Sequence, residues 1–296
     1  MLPAAVRAGV SARVVGDEEA AVSDQPLEEQ VLHRVENRVA WIMLNRPEVR
    51  NAITPDQRER VITLLEDASA DLGIGAVVLT ATGEGFCTGA DLRAGRRAPA
   101  PKPEGAPDRV MGDAARMIRR GAQRLVAAVL DCEKPVVAAV NGTAAGIGAH
   151  LAFACDLVVA ADEARFIEVF VRRGISPDGG GAYLLPRRLG LQKAKELVFF
   201  GDDLPASEAE RLGLVNRVVP RSQLQEAAAE LAERLAAGPT KAIGMAKWLL
   251  NRSLDSDRPT AFEEEAWAQE LVVHTADSQE GIAAFVERRP AQFRGF

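Results

Sequence analysis

The sequence predicts a mixed α/β fold with a helical C-terminal part, and three observations carry that reading. Pro135-Val136-Val137-Ala138-Ala139-Val140 is a short apolar run rich in β-branched residues, the pattern of a strand covered on both faces. Asn141-Gly142 ends it, and Ala144-Ala145-Gly146-Ile147-Gly148 opens a further apolar segment, Ala149 to Ala154, that reads as a buried helix. From Ala182 onward the apolar residues keep a helical period with one strand between them, so strands mixed with helices are followed by helices.

Composition narrows the class. The 296 residues are enough for one large domain or two small ones. Hydrophobic residues at 47% and charged residues at 26% are ordinary for a globular enzyme. No apolar stretch reaches the length of a membrane span, and the opening residues Met1 to Val10 carry no signal-peptide pattern. A net charge of -6 argues against a nucleic-acid partner. Cys87, Cys132 and Cys155 show neither metal-ligand spacing nor a paired framework, so reduced thiols in the cytoplasm, and no metal, are expected.

Taken in order, residues 1–28 lack a sustained period and are expected to form a disordered tail, residues 29–220 the α/β core and residues 221–296 a helical C-terminal region. Val31 to Val35 and Val39 to Leu44 read as a hairpin whose second strand is apolar on both faces. Asn45-Arg46-Pro47 breaks it. A helix over Pro55 to Ala70 follows, with Thr54 as N-cap, Pro55 at the first helical position and Val61, Leu64 and Leu65 on one face. A strand over Gly75 to Thr80 leads into a glycine-rich loop, Ala81-Thr82-Gly83-Glu84-Gly85-Phe86-Cys87-Thr88-Gly89-Ala90-Asp91-Leu92. Four prolines between 94 and 108 exclude a regular element there, leaving a surface insertion or a substrate lid. One helix is expected from about Val110 to Leu130; Asp156 to Ala160 is another apolar run, read as a strand, and Ala164 to Phe170 follows it before a second glycine turn, Pro177-Asp178-Gly179-Gly180-Gly181. The later helices read as Ala182–Arg188, Gln192–Phe200, Ala206–Leu212, Arg221–Ala237, Thr240–Asn251, Thr260–Val273 and Gln279–Arg288, with a strand over Gly213–Val219.

The junction at Gly146 points to chemistry. Glycines between a strand and a helix let a ligand approach the backbone, and the first N–H groups of the helix have no internal partner. The helix dipole favours negative charge at that end, so the junction suits an anion or a developing oxyanion; tight packing alone would produce the same glycines.

Asn45-Arg46-Pro47 with Asn51-Ala52, then Phe86-Cys87-Thr88-Gly89-Ala90-Asp91-Leu92, then Lys134-Pro135, Asn141-Gly142 and Ala145-Gly146-Ile147-Gly148, and finally Pro177-Asp178-Gly179-Gly180 form an ordered set. From about Val31 to the C-terminus it resembles the crotonase superfamily, the enoyl-CoA hydratase/isomerase family. The resemblance implies a spiral of ββα units over residues 29–220 and a trimerisation or lid role for residues 221–296. It further implies assembly as a homotrimer or homohexamer, and action on acyl thioesters of coenzyme A in fatty-acid or other lipid metabolism, with coenzyme A as part of the substrate and no separate cofactor.

It also implies site residues. The backbone N–H groups of Ala90 and Ile147 would bind the thioester oxygen; Ile147 stands where glycine is commoner, narrows the pocket and disfavours positive φ. The two glutamates of the hydratases map to His150 and Phe170, so the usual activation of water is missing. Asp178 becomes the expected acid–base group, since one carboxylate suffices to move a proton between two carbons. Glu168, two residues before Phe170 and on the same face if the segment is extended, and His150 are the alternatives. Coenzyme recognition is expected from Arg50, Ala52, Ala90, Asp91, Leu92 and Arg93, with Arg96 and Arg97 adding charge, and from Phe285 and Arg288 of a neighbouring subunit. Isomerisation is the leading reading; hydration by non-standard residues and a catalytically silent acyl-CoA binder are the alternatives.

Overall fold

The computed structural model describes residues 25–93, 103–107 and 110–296. The expected tail therefore lies outside the described residues up to 24, as do Arg96, Arg97 and most of the 94–108 loop. Leu27–Gln30, the end of the expected tail and the start of the core, forms a short helix, α1.

Strands β1 (Val31–Glu36) and β2 (Val39–Leu44) pair antiparallel with Val31 opposite Leu44. Asn37 and Arg38 join them, both at positive φ (51° and 62°), the conformation of the two-residue turn that matches strand twist. Helix α2 (Pro55–Ala70) begins in a complete capping box, Thr54 with Gln57, and Pro55 occupies its first turn. After it come β3 (Ala76–Ala81) and the three-residue β4 (Gly85–Cys87).

The single helix expected over 110–130 is two, α3 (Asp113–Arg120) and α4 (Ala122–Leu130), broken at Gly121. A β-carbon there would lie 2.6 Å from the Met117 carbonyl oxygen and 2.9 Å from an Arg58 nitrogen, so the break falls where the Arg58 guanidinium presses on the backbone. Strand β5 (Val136–Val140) is buried at every residue, β6 (Thr143–Ala145) follows, and helix α5 (Ile147–Ala154) is buried all round. Then come β7 (Leu157–Ala161), β8 (Arg165–Ile167), α6 (Gly181–Leu189), α7 (Leu191–Phe200), β9 (Asp203–Pro205), α8 (Ala206–Arg211), β10 (Arg217–Val219) and the helices α9 (Leu224–Ala236), α10 (Thr240–Arg252), α11 (Arg258–Val272) and α12 (Ala276–Glu287).

The strands make two sheets. One runs β1-β2-β3-β5-β7-β10, parallel except for the β1/β2 hairpin; the other runs β4-β6-β8-β9. Chain order gives the spiral directly. β3, β5 and β7 each lie in the first sheet, and each is followed by a short strand of the second sheet (β4, β6, β8) and then by helix. Helix α9, within the part read as helical extension, lies against β3, β5 and β7 through buried Ala227, Ala228, Ala232 and Ala236. A β-carbon on Gly75 would sit 2.7 Å from Ala236 Cα, so that packing is backbone to backbone. None of the helices among the described residues is long and apolar enough to cross a membrane.

Candidate active site

The three ββα turns bring their second-sheet strands side by side, so the loops that leave them meet at one edge. β4 pairs with β6, and β6 with β8. Glycine makes that meeting possible at two positions. A β-carbon at Gly142 would fall 1.8 Å from the Glu84 carbonyl oxygen, and one at Gly148 would fall 2.0 Å from that of Cys87. The first turn of α5 therefore rests directly on the backbone of the preceding loop.

The asparagines of the motif hold the same assembly. Asn51, at φ 55°, accepts the Arg46 N–H at 2.7 Å and donates to the carbonyls of Thr82 (2.9 Å) and Gly85 (2.7 Å). Asn141 donates to the Gly83 carbonyl at 2.8 Å. The Arg46 guanidinium reaches the Ala52 carbonyl and pairs with Asp91. Asp91 also accepts the Arg93 N–H at 2.9 Å, so its carboxylate is engaged in shaping the loop. Arg50, Leu92 and Arg93 are exposed on the same rim. Cys87 sits inside the loop, where burial pushes its thiol up to about 11 and leaves it a packing residue.

Two backbone donors face this junction. The Ile53 N–H bonds to the Gly89 carbonyl and the Asp91 N–H to the Ile53 carbonyl, which turns the intervening Ala90 N–H away; it has no acceptor among the described residues. Gly146, at φ 55° and ψ −124°, directs the chain into α5, its own N–H bonds to the Ile167 carbonyl, and the next N–H, that of Ile147, is again without an acceptor among the described residues. The positive φ falls on Gly146, so the β-branched Ile147 is spared the conformation it disfavours.

The titratable groups lie on the same junction. A β-carbon at Gly179 would meet Ile147 Cδ1 at 2.3 Å, which places the turn carrying Asp178 against the Ile147 side chain. Asp178 is half-buried, and burial holds its carboxyl above the usual carboxylate range, against the opposing pull of His150 and of its own backbone N–H. His150 is fully buried on α5. Its Nε2 stands 3.0 Å from Glu168 Oε2, and its ring stacks on Phe170 with centroids 5.1 Å apart. Glu168 and Phe170 both meet the imidazole although the segment is not extended there. β8 ends at Ile167 and Phe170 is in the right-handed helical conformation, so a turn rather than strand alternation brings the two side chains to the ring. Phe285 and Arg288 stand exposed at the end of α12, where Arg288 closes the helix in the left-handed conformation.

A cavity of about 1020 Å³ lies elsewhere, between the end of α4, α6, α10 and α11, with Tyr183, Trp248 and Trp267 on its walls. It shares no lining residue with the two glycine loops.

Sequence reasoning singled out His150 and Glu168 separately and missed that they form a pair. It also missed the Arg46–Asp91 ion pair and the clip made by Asn51. The recurrent Asn and the glycines at Gly142 and Gly148 were the available signals.

Comparison with known proteins agrees with this architecture. Residues 34–295 match the enoyl-CoA hydratase/isomerase family. The 1,2-epoxyphenylacetyl-CoA isomerase of Escherichia coli is 36% identical over 267 residues, covering 90% of this chain and 99% of that protein. The short-chain-enoyl-CoA hydratase of Clostridium acetobutylicum is 34% identical over 262 residues, covering 88% and 95%. The crystal structure of an enoyl-CoA hydratase/isomerase from Cupriavidus metallidurans superposes with a TM-score of 0.80 at 36% identity, over 90% of this chain and 97% of that one. A spiral of ββα units, two glycine loops joined backbone to backbone, and matches along nearly the whole chain lead to one assignment: this chain belongs to the enoyl-CoA hydratase/isomerase family of the crotonase superfamily and is an enzyme of that family.

Proposed function

We propose that this enzyme shifts a double bond in an enoyl-CoA thioester, with Asp178 as the proton carrier and the Ala90 and Ile147 N–H groups as the oxyanion hole. The observation that supports this most is the company of Asp178. It is a half-buried carboxyl that burial raises above the usual carboxylate range, on a turn packed against the Ile147 side chain, while a buried aromatic ring fills the place of the second hydratase glutamate.

In that reaction the Asp178 carboxylate removes a proton from C2 of a 3-enoyl-CoA. The C2–H electron pair forms a C1–C2 double bond while the carbonyl π pair moves onto the thioester oxygen, giving a dienolate conjugated with C3–C4 whose negative charge the two N–H groups hold. Protonated Asp178 then delivers the same proton to C4 as the enolate collapses, leaving the double bond between C2 and C3. No water enters the balance, which suits the apolar wall of Ile147 and Phe170.

The coenzyme phosphates are assigned to Arg50 and Arg93 on the rim, with Ala52 and Leu92 beside them and Asp91 shaping the loop through its contacts. Phe285 and Arg288 are assigned to the coenzyme of a neighbouring subunit. Large apolar side chains exposed on α10, α11 and α12, among them Trp248, Phe262, Trp267 and Phe285, support assembly as a homotrimer or homohexamer. A cytoplasmic setting accords with three free, buried cysteines.

Incubation with 3-enoyl-CoA and with 2-enoyl-CoA in turn tests the reading. Conjugation of the first is the expected outcome. Formation of 3-hydroxyacyl-CoA from the second would replace it with hydration, and binding without turnover would make the protein a silent binder.

A further inference from the structure

The buried pair His150 and Glu168 has no task in that scheme, and its cost asks for one. Two of its polar atoms, His150 Nδ1 and Glu168 Oε1, have no hydrogen-bond partner among the described residues. A buried polar atom left unpaired is destabilising, whereas an apolar pair of similar volume would fill the same space without that cost.

The ring is aimed at the acid–base turn. A β-carbon at Gly179, the residue after Asp178, would lie 3.1 Å from His150 Nδ1, and one at Gly181 would lie 2.2 Å from Nε2. The imidazole is therefore packed against the backbone that follows Asp178, and only glycine at 181 leaves it room. From the other sides the ring meets Phe170 and Glu168. Helix α4 turns the apolar Leu125, Val126 and Val129 toward the core beside α5, with Arg124 on its outer side paired to Glu59. The titratable side chains of α6 are directed elsewhere: Tyr183 and Arg187 to Asp255, and Arg188 to the Cys155 carbonyl. Cys87, whose carbonyl meets Gly148, is a buried thiol. Among the described residues, Glu168 and Asp178 are thus the charged groups that face His150.

We infer that His150, held by Glu168, is a positioning residue for Asp178: its ring, packed against the backbone of Gly179 and Gly181, favours the ionised, proton-accepting form in which Asp178 awaits substrate. The direction matches the balance at Asp178, where burial raises the carboxyl and His150 is the foremost group opposing it. The inference rests on the reading of Asp178 as proton carrier.

The test is the pH dependence of kcat/KM for double-bond migration in the wild type and in His150→Gln, Glu168→Gln and Asp178→Asn, whose acid limb reports the free enzyme. His150→Gln is expected to move the acid limb up by about one pH unit, lowering the rate below the limb about tenfold, the lower end of what a close opposite charge does to a carboxyl. Glu168→Gln is expected to move it the same way. A rate reduced by the same factor at every pH would mean that the pair only packs, and would overturn the inference. A dead Asp178→Asn with an unmoved limb in His150→Gln would overturn this inference alone, whereas full turnover in Asp178→Asn would overturn the Asp178 reading itself.

A second measurement is independent of turnover and of the folding of His150→Gln. Coupling between two protonation sites is reciprocal, so the ¹⁵N NMR titration midpoint of His150 must fall in Asp178→Asn by as much as the Asp178 limb rises without His150. An unchanged midpoint would overturn the inference whatever the enzyme turns over.

Discussion

Arg46 Nη1 lies 2.9 Å from Asp91 Oδ2 with both side chains only 7% exposed, so an ion pair closed to water ties the turn after β2 to the loop that carries Ala90. Removing one partner of such a pair leaves a buried charge behind, which costs about 3–5 kcal/mol, while replacing both with apolar residues is often neutral. Asp91→Ala should therefore lower the melting temperature sharply, and Arg46→Met with Asp91→Leu should recover most of the loss. Turnover should stay low in both, because each frees the Ala90 N–H from its fixed direction. Thermal unfolding beside kcat decides this; full activity in the double variant would separate the pair from the oxyanion hole.

Asp178 makes a prediction about pH with two signs to it. Its carboxyl is raised by burial, so the form able to accept a proton is lost as pH falls through a value above the ordinary 3.9 or so of aspartate. Activity should show its acid limb there, and Asp178→Asn should abolish migration while acyl-CoA affinity stays within about a few-fold. Stability runs the other way. Between the unfolded and folded values the folded chain binds the extra proton, so wild-type stability declines as pH rises through that window. Asp178→Asn should then melt at or above the wild type at neutral pH, with the advantage vanishing in acid; a variant less stable at every pH would contradict this.

Arg50 and Arg93 stand exposed on the rim of the same junction. If they meet coenzyme phosphates, alanine at either should raise KM more than it lowers kcat, the mark of binding lost equally in ground and transition states. The effect should shrink for a pantetheine thioester, which lacks those phosphates. Equal losses on both substrates would assign the arginines to the fold.

Gly148 has the Cys87 carbonyl where a methyl group would go. Gly148→Ala must push the first turn of α5 off the loop below it and carry the Ile147 N–H with it. Losing one oxyanion donor costs about 2.7–4 kcal/mol of barrier in comparable sites, so kcat should fall by roughly two to three orders of magnitude. Comparison of kcat with acyl-CoA affinity checks this, since ground-state binding should suffer far less.

Hydration should be obtainable by restoring two carboxylates where hydratases carry them. The 3.0 Å contact between His150 and Glu168 sets a condition, because glutamate at 150 would face an existing carboxylate. Phe170→Glu with His150→Glu should gain detectable hydration of a short 2-enoyl-CoA only when Glu168→Gln accompanies them. Product analysis for 3-hydroxyacyl-CoA reads the result, and efficient hydration by the unaltered enzyme would cancel the isomerase reading.

The elements that could be read from sequence were those whose signals are local. Thr54 and Pro55 announce α2 within two residues, and the apolar run at β5 and the glycines at α5 do the same. The second sheet escaped because β4, β6, β8 and β9 are three residues each, too short for an alternation to show. At the break, Gly121 packs against Arg58, far away in the chain, and helical periodicity carries no trace of that contact. At the site, individual residues were legible and their pairings were not: His150 meets Glu168 across 18 positions and Arg46 meets Asp91 across 45. Such pairs are set by the winding of the spiral, which no window of sequence contains.

Gly146 separates two jobs that a single residue would otherwise have to perform. It absorbs the reversal of the chain at φ 55°, leaving residue 147 in ordinary helical geometry. The donor at 147 belongs to the backbone, and the wall at 147 belongs to the side chain. A change of side chain at this one position therefore alters the wall while leaving the direction of the 147 N–H, which the backbone at Gly146 sets, where it was.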